Sequence, residues 1–192
     1  MKVKITRGKA IALVLFVLII LLTIAVYPYL PLPVYSANYY GTIMNFRVNL
    51  KDAENVPVYP NEQVVGEEIM NQLVENITIA FKPGTGEENA HYALETSEIV
   101  YKLAVAFQKR FGYIPKVNVI NVTSYDNLPG KIQNPIIALI HPVYSNETSV
   151  RLDGHVFFIS GKNSTSSKEQ LKNFDLATVK FLMTALGLKL NN

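Results

Sequence analysis

The residues best suited to chemistry at neutral pH are three histidines, His91, His141 and His155. Imidazole changes its charge near neutral pH and is a common metal ligand. His141 directly follows an apolar run that resembles a buried strand, and α/β folds bind ligands at the ends of such strands. His155 comes two residues after Asp153, whose carboxylate could orient a base. His141, His155 and Asp153 are therefore the candidate catalytic residues of a hydrolase-type His/Asp site.

The sequence lacks the motifs that identify catalytic sites more specifically than single histidines do. The absence of Cys excludes a Cys nucleophile, Cys-ligated zinc, iron–sulfur clusters and disulfides. There is no H-E-x-x-H or G-x-S-x-G motif, and Pro83-Gly84-Thr85-Gly86 lacks the spacing of a phosphate-binding loop. We therefore expect no metal and no cofactor, and we favour a protein without catalytic activity over an enzyme.

A second group of residues indicates that the chain carries N-linked glycans. Acceptor triplets for N-linked glycans begin at Asn76, Asn121, Asn146 and Asn163. Chance would give about two such triplets in a chain with 17 Asn and 20 Ser or Thr. Asn146 and Asn163 lie in predicted loops, whereas Asn76 and Asn121 border predicted strands. The excess of acceptors favours a glycoprotein, with Asn146 and Asn163 as the stronger sites.

The elements that must position these residues indicate one mixed α/β domain, from residue 41 to 192. A hydrophobic fraction of 49% and a charged fraction of 17% exclude a disordered chain. We expect a mixed sheet with about three packed helices, because one strand–helix–strand unit is followed by a hairpin. The predicted order is strand 44–50, helix 61–75, strand 77–81, helix 85–112, strands 117–122, 135–140, 148–152 and 155–160, and helix 166–187.

Four details of this prediction can be compared with a structure. Asp153-Gly154 is expected to form a two-residue hairpin turn. The apolar run 135–140 is expected to be a central strand, covered on both faces. In the last helix, Lys172 and Lys180 are expected to face solvent. The helix predicted at 85–112 should bury an apolar stripe formed by Tyr92, Thr96, Ile99, Val100, Leu103 and Phe107.

The positive charge of the chain is concentrated at its N-terminus. Of the net charge of +3, Lys2, Lys4, Arg7 and Lys9 supply +4, and the next charged residue is Arg47. The remainder of the chain sums to −1 and has no basic stripe, which argues against a nucleic-acid partner.

Residues 10–27 form an uncharged apolar run of 18 residues. As a helix this run would be about 27 Å long, enough to cross the hydrocarbon core. Backbone in lipid must satisfy its own hydrogen bonds, so we expect a transmembrane helix. Basic residues stay on the cytoplasmic side, which predicts a cytoplasmic tip at 1–9 and a C-terminal domain outside the cell membrane.

A cleaved signal peptide is the alternative to this signal anchor. The run is longer than the roughly 7–15 apolar residues of a signal-peptide core. The best cleavage position, before Asn38, places bulky Tyr35 where a small side chain is needed. We therefore favour a retained anchor, followed by a Pro/Tyr-rich stalk at residues 28–40 whose tyrosines suit the membrane interface.

These observations predict a single-pass, membrane-anchored, glycosylated cell-surface protein. Its outer α/β domain would bind or scaffold other envelope components, so its partners would be the bilayer and other membrane or envelope proteins. One alternative is an extracytoplasmic hydrolase that uses His141, His155 and Asp153. Another is a subunit of a surface filament, which would pair through the alternating strand Met44–Leu50, a pattern suited to a sheet edge.

Overall fold

The computed structural model of the chain describes residues 35–189. The predicted cytoplasmic tip at 1–9, the predicted transmembrane helix at 10–27 and stalk residues 28–34 lie outside the described residues. Within 35–189, no helix has the length and apolar character needed to cross a bilayer.

The described residues form a mixed α/β domain, as predicted. The elements, in chain order, are β1 (Tyr35–Tyr39), β2 (Thr42–Phe46), α1 (Leu50–Glu54), β3 (Val58–Tyr59), α2 (Glu62–Ile69), β4 (Asn76–Phe81), α3 (Gly86–Phe111), β5 (Lys116–Asn121), β6 (Ile136–Ile140), β7 (Ser149–Asp153), β8 (Val156–Ser160) and α4 (Ser167–Leu186). A short 3-10 turn, Pro142–Tyr144, follows β6.

Six of the strands form one mixed sheet in the order β3-β7-β8-β6-β4-β5. Strands β5, β4, β6 and β8 run parallel to one another, and β7 is antiparallel to β8. The predicted crossover from β4 through α3 to β5 is confirmed, as is the antiparallel hairpin of β7 and β8. Strand β6 lies inside the sheet, as its continuous apolar sequence predicted. Strands β1 and β2 form a separate two-stranded sheet.

The two faces of the main sheet are covered differently. Alternate side chains of the strands, such as Ile79, Leu139 and Phe157, pack with the helices into the main hydrophobic core. On the opposite face, a smaller cluster forms around Ala138 and Val156, against residues of the β5–β6 loop. This second face is therefore covered by loop residues, and part of it stays open.

The direction of the strands defines two ends of the domain. We call the end at which β4, β5, β6 and β8 terminate the carboxyl edge, and the end at which they begin the amino edge. Helices α3 and α4 each follow a strand of this set, so they start at the carboxyl edge and finish at the amino edge. Thr85 caps the start of α3 by accepting a hydrogen bond from the Glu88 amide, and Gly112, with a φ of +79°, ends it.

Several boundaries differ from the sequence-based expectations. Strand β2 stops at Phe46, because Asn49 accepts a hydrogen bond from the Lys51 amide and starts α1. Helix α2 ends at Ile69 rather than at residue 75. In the β7–β8 hairpin, Asp153 pairs with Val156, so the turn is Gly154-His155 rather than Asp153-Gly154. Residues 35–39, which were expected in the stalk, form β1 and belong to the folded domain.

Candidate functional site

The three residues of the predicted His/Asp site lie at opposite ends of the sheet. His141 follows β6 at the carboxyl edge, whereas Asp153 ends β7 and His155 lies in the turn before β8, at the amino edge. Because β6 and β8 are parallel, about five residues of strand, roughly 16 Å, separate the two positions. The Nδ1 atom of His155 lies 2.6 Å from Oε1 of Glu68 instead. His141 thus has neither predicted partner beside it.

The partner of His141 is His91, from the second turn of α3. The Nε2 atom of His141 lies 2.9 Å from Nδ1 of His91, and both residues are buried. The Nδ1 atom of His141 accepts a hydrogen bond from the Val143 amide, at 3.3 Å. Nδ1 of His141 is therefore unprotonated, and its Nε2–H donates to His91. This assignment makes both imidazoles neutral.

Aromatic rings enclose this histidine pair. The hydroxyl of Tyr92 accepts a hydrogen bond from the His141 amide at 3.3 Å, and the ring of Phe174 meets His141 edge to face. Burial lowers the pKa of His141, and the neighbouring His91 lowers it further, while the carboxylates of Glu88 and Glu87 oppose this shift. His141 is thus held in its neutral form inside an aromatic shell.

The crevice at which this topology would bind a ligand is filled by the protein itself. Strand β4 connects to β5 on one side and pairs with β6 on the other, so the carboxyl ends of β4 and β6 form a topological switch point. The hydroxyl of Tyr125 donates to the Leu139 carbonyl at 2.5 Å and accepts from the Lys82 amide at 3.0 Å. Tyr125 thereby bridges the two strands where a ligand would enter.

Polar side chains at the rim of the crevice do not complete a catalytic arrangement. The hydroxyl of Tyr144 donates to Oε2 of Glu88 at 3.2 Å, and Nζ of Lys82 lies 5.1 Å from the centre of the Tyr144 ring. Within residues 35–189, no Ser or Thr hydroxyl is hydrogen-bonded to His91 or His141, and no group of three metal-ligating side chains occurs. In this part of the chain, the histidine pair therefore has no Ser or Thr nucleophile hydrogen-bonded to it.

A buried polar stripe on α3 extends from this histidine pair. His91, Glu95, Glu98 and Lys102 recur at steps of four, three and four residues, so they share one face of the helix. The residues of this face that are fully buried are His91, Glu95 and Lys102, with exposed fractions of 6%, 0% and 2%. The face lies next to the predicted apolar stripe, so α3 buries a wider surface than its apolar residues indicate.

Arg47 connects this stripe to α4. Its Nη2 atom lies 2.7 Å from Oε1 of Glu95 and 2.5 Å from Oδ1 of Asp175, a residue of α4. Lys102 forms its own ion pair, with Nζ at 2.5 Å from Oε1 of Glu98 and 4.6 Å from the centre of the Phe46 ring. We call Arg47, Glu95 and Asp175 the arginine clasp, because Arg47, which follows β2, joins the hairpin to both long helices.

The clasp holds two carboxyl groups that cannot both be charged at low cost. Burial raises the pKa of Glu95 well above its usual range, and the neighbouring Asp175 raises it further, while Arg47 opposes the shift. Burial also raises the pKa of Asp175. Both shifts favour protonation, and one proton on the two carboxyl groups would leave a single negative charge opposite Arg47.

Sequence reasoning missed these residues because charged side chains normally face solvent. Lys180, which was expected to face solvent, is another case: only 2% of it is exposed. Its Nζ donates to Oε1 of Glu62 at 2.6 Å and to the Glu54 carbonyl at 2.8 Å. Lys172 is exposed, as expected. The spacing of His91, Glu95 and Lys102 on one face was the only signal that could have indicated a buried polar stripe.

The open face of the sheet carries two grooves that meet at Arg151. One, of about 720 Å³, is lined by residues that include Asp126, Arg151 and Phe158. The other, of about 370 Å³, has Tyr59 and Arg151 in its lining. The Arg151 guanidinium stacks on the Phe158 ring at 4.6 Å. Within residues 35–189, no acidic oxygen lies within ion-pair distance of Arg151.

The four glycan acceptors differ in accessibility. Asn121, Asn146 and Asn163 are exposed, and all three follow the ends of parallel strands, so they lie at the carboxyl edge. Asn76 starts β4 at the amino edge and is half-buried. The hydroxyl of its partner Thr78 is buried and donates to Oδ1 of Asn134 at 3.0 Å. Three acceptors are thus open to modification in the folded domain.

Comparison with known proteins gives no relative for this chain. No protein-family model, no curated protein and no solved structure matches it.

Proposed function

We propose that the protein is a single-pass, membrane-anchored surface protein whose outer α/β domain binds or scaffolds other envelope components. The apolar run at residues 10–27 and the basic tip at 1–9 support the anchor and its orientation. The exposure of Asn121, Asn146 and Asn163 supports a domain that is glycosylated outside the cell.

The observation that carries the binding role is the open sheet face around Arg151. The guanidinium of Arg151 has a flat aromatic support in Phe158 and lacks an acidic partner among the described residues. Tyr59, whose exposed fraction is 45%, lies beside it on the neighbouring strand β3. Arginine and tyrosine are enriched in the parts of protein interfaces that contribute most to binding. An acidic or carbonyl-rich surface of an envelope component would fit this face.

Site-specific photocrosslinking in native membranes tests this role. A photoreactive residue at position 59 is expected to give a discrete crosslinked product, and Arg151→Ala is expected to remove that product. The matched control is a photoreactive residue at Lys172, which is exposed on the outer face of α4. Identical products from both positions, or none from position 59, would contradict a binding role for the sheet face.

The hydrolase alternative depends on His141, which has His91 rather than His155 or Asp153 beside it. Assays of the full chain with ester, peptide and glycoside substrates would address it. A hydrolase of this kind should lose activity in His141→Gln and keep it in His155→Gln.

The filament alternative requires β2 to leave β1 and pair with a strand of another copy. In the structure, all five residues of β2 are paired with β1.

A further inference from the structure

The tip of the β1–β2 hairpin has an unusual residue for its backbone. Tyr40 and Gly41 join the strands with φ values of +47° and +78°, as in a type I′ turn. Left-handed backbone is unfavourable for residues other than Gly, Asn and Asp. The side chain of Tyr40 is nevertheless 70% exposed. Burial within the domain therefore does not account for a tyrosine at this strained position, and an external contact would.

Strand β2 runs antiparallel to α3, which places the tip of the hairpin at the amino edge. Arg47 contacts Glu95, and Phe46 lies under Lys102, so earlier residues of the hairpin meet later turns of the helix. From Lys102 to Arg110 the helix rises about 12 Å. From Phe46 back to Thr42 the strand spans about 13 Å. The turn therefore lies beside the end of α3, where the Arg110 charge acts on the phenol of Tyr39.

Other exposed apolar and basic side chains lie at this end. Ile43 is 68% exposed and Ile114 is 57% exposed, and Lys109 and Arg110 are exposed in the last turn of α3. We call Tyr40, Ile43, Lys109, Arg110 and Ile114 the amino-edge patch. Aromatic and aliphatic side chains beside lysine and arginine are typical of protein surfaces that lie in the headgroup region of a bilayer.

The length of the stalk limits how far Tyr35, at the open end of the hairpin, can lie from a membrane. Between the predicted end of the transmembrane helix at Tyr27 and the start of β1 at Tyr35 there are seven residues, 28–34. Fully extended, they span about 25 Å. The exposed glycan acceptors all lie at the carboxyl edge, the end of the domain away from the patch. The bulky, hydrophilic glycans would thus leave the amino edge free for lipid.

We propose that the amino-edge patch docks onto the bilayer that holds the anchor. Tyr40 and Ile114 would enter the headgroup region, and Lys109 and Arg110 would lie close to lipid phosphates. This proposal rests on the membrane anchoring proposed above and names the surface of the domain that contacts lipid.

The chain is well suited to a fluorescence test, because it contains no Trp. Single variants Tyr40→Trp and Ile114→Trp of the full chain, reconstituted in vesicles of phosphatidylcholine and phosphatidylglycerol, carry one reporter each. Brominated phospholipids quench only indoles that lie in or next to the bilayer. Tyr144→Trp at the carboxyl edge and Tyr101→Trp on the outer face of α3 are matched controls, since both side chains are exposed.

Docking predicts that the reporters at positions 40 and 114 lose roughly half of their emission with brominated lipid, as expected for side chains at the headgroup boundary. The two control reporters should be unchanged. Equal quenching at all four positions, or quenching at none, would overturn the proposal. So would a blue shift at position 40 without quenching, because it would indicate burial against protein.

Vesicle flotation separates a failure of docking from a failure of the anchor. Chains that float with the vesicles and resist carbonate extraction, but show no quenching at positions 40 and 114, would retain the anchor and refute the docked patch. Chains that do not float would refute both. Thermal unfolding of each Trp variant confirms that the domain is folded before its quenching is interpreted.

Discussion

His141 donates a hydrogen bond to His91 inside an aromatic shell, with 2.9 Å between Nε2 of the first and Nδ1 of the second. On its other side, the Nδ1 atom of His141 accepts a hydrogen bond from the Val143 amide. A proton on Nδ1 would break that bond and place a charge among Tyr92 and Phe174. The burial of neutral His141 therefore makes the stability of the domain depend on pH.

The first prediction concerns this pH dependence. Burial lowers the pKa of His141 below its usual 6.5, so the unfolded chain binds the proton first as pH falls. The stability that neutral His141 contributes is complete above pH 6.5. It is lost as pH falls from there towards the pKa of His141 in the folded state. The loss is at most about 1.4 kcal/mol per pH unit. Urea unfolding between pH 7.5 and 5, at steps of about half a unit, measures it.

His141→Gln should remove this part of the pH dependence, because Gln keeps a donor but does not titrate. Leu94→Gln, at an exposed position of α3, introduces the same side chain without removing a titratable group, so it is the control and should keep the wild-type slope. Parallel pH profiles for wild type and His141→Gln would refute the assignment of the slope to His141.

The second prediction concerns the arginine clasp. Arg47→Met would leave Glu95 and Asp175 buried without a positive charge, which typically costs about 3–5 kcal/mol of unfolding free energy. The loss should shrink as pH falls, because protonation neutralises carboxyl groups whose pKa values are raised by burial. Chemical denaturation at neutral and at acidic pH measures it. Arg151→Met is the control, since Arg151 is exposed and should change stability by no more than about 0.5 kcal/mol. Equal effects of the two substitutions would contradict a clasp.

The third prediction concerns the hairpin tip. Tyr40→Asn should stabilise the domain by about 1 kcal/mol, because Asn tolerates the left-handed backbone that Tyr40 adopts. Tyr101→Asn, at an exposed position of α3, should instead destabilise slightly, since Asn is a poorer helix former. The midpoints of thermal unfolding give both values. A drop in stability for Tyr40→Asn would indicate that the Tyr40 ring supports the hairpin.

The fourth prediction concerns glycosylation in a eukaryotic secretory host. Asn121→Gln, Asn146→Gln and Asn163→Gln should each reduce the mass of the expressed protein by one glycan, since these acceptors are exposed. Asn76→Gln should leave the glycan mass unchanged, because the Thr78 hydroxyl is buried and hydrogen-bonded to Asn134. Intact-mass measurement before and after glycan removal distinguishes the four acceptors. A glycan at Asn76 would show that modification precedes the folding of β4.

Elements with strong local signals were predictable from sequence. Thr85 and Gly112 mark the two ends of α3, and both perform the capping roles expected of their residue types. The apolar run before His141 predicted an inner strand, and β6 is one. These signals are local, so one chain segment carries all the information that is needed.

Features that depend on distant partners were not predictable. The carboxylate of Glu95 can be buried because it pairs with Arg47, which is 48 positions away. No local sequence pattern indicates this contact. His141 and His91 are 50 residues apart and come together because α3 packs over the end of β6. Strand β3 has only two residues, too few to show an alternating pattern.

The placement of the β1–β2 hairpin also determines how the domain would respond to mechanical load. If the chain is anchored through residues 10–27, tension enters at Tyr35, which pairs with Phe46 at the open end of the hairpin. Pulling there would unzip β1 from β2 one pair at a time, releasing about 40 Å of extended chain between residues 35 and 46. The arginine clasp lies directly beyond Phe46 and would resist further opening. The hairpin would thus act as an extensible tether that spares the main sheet.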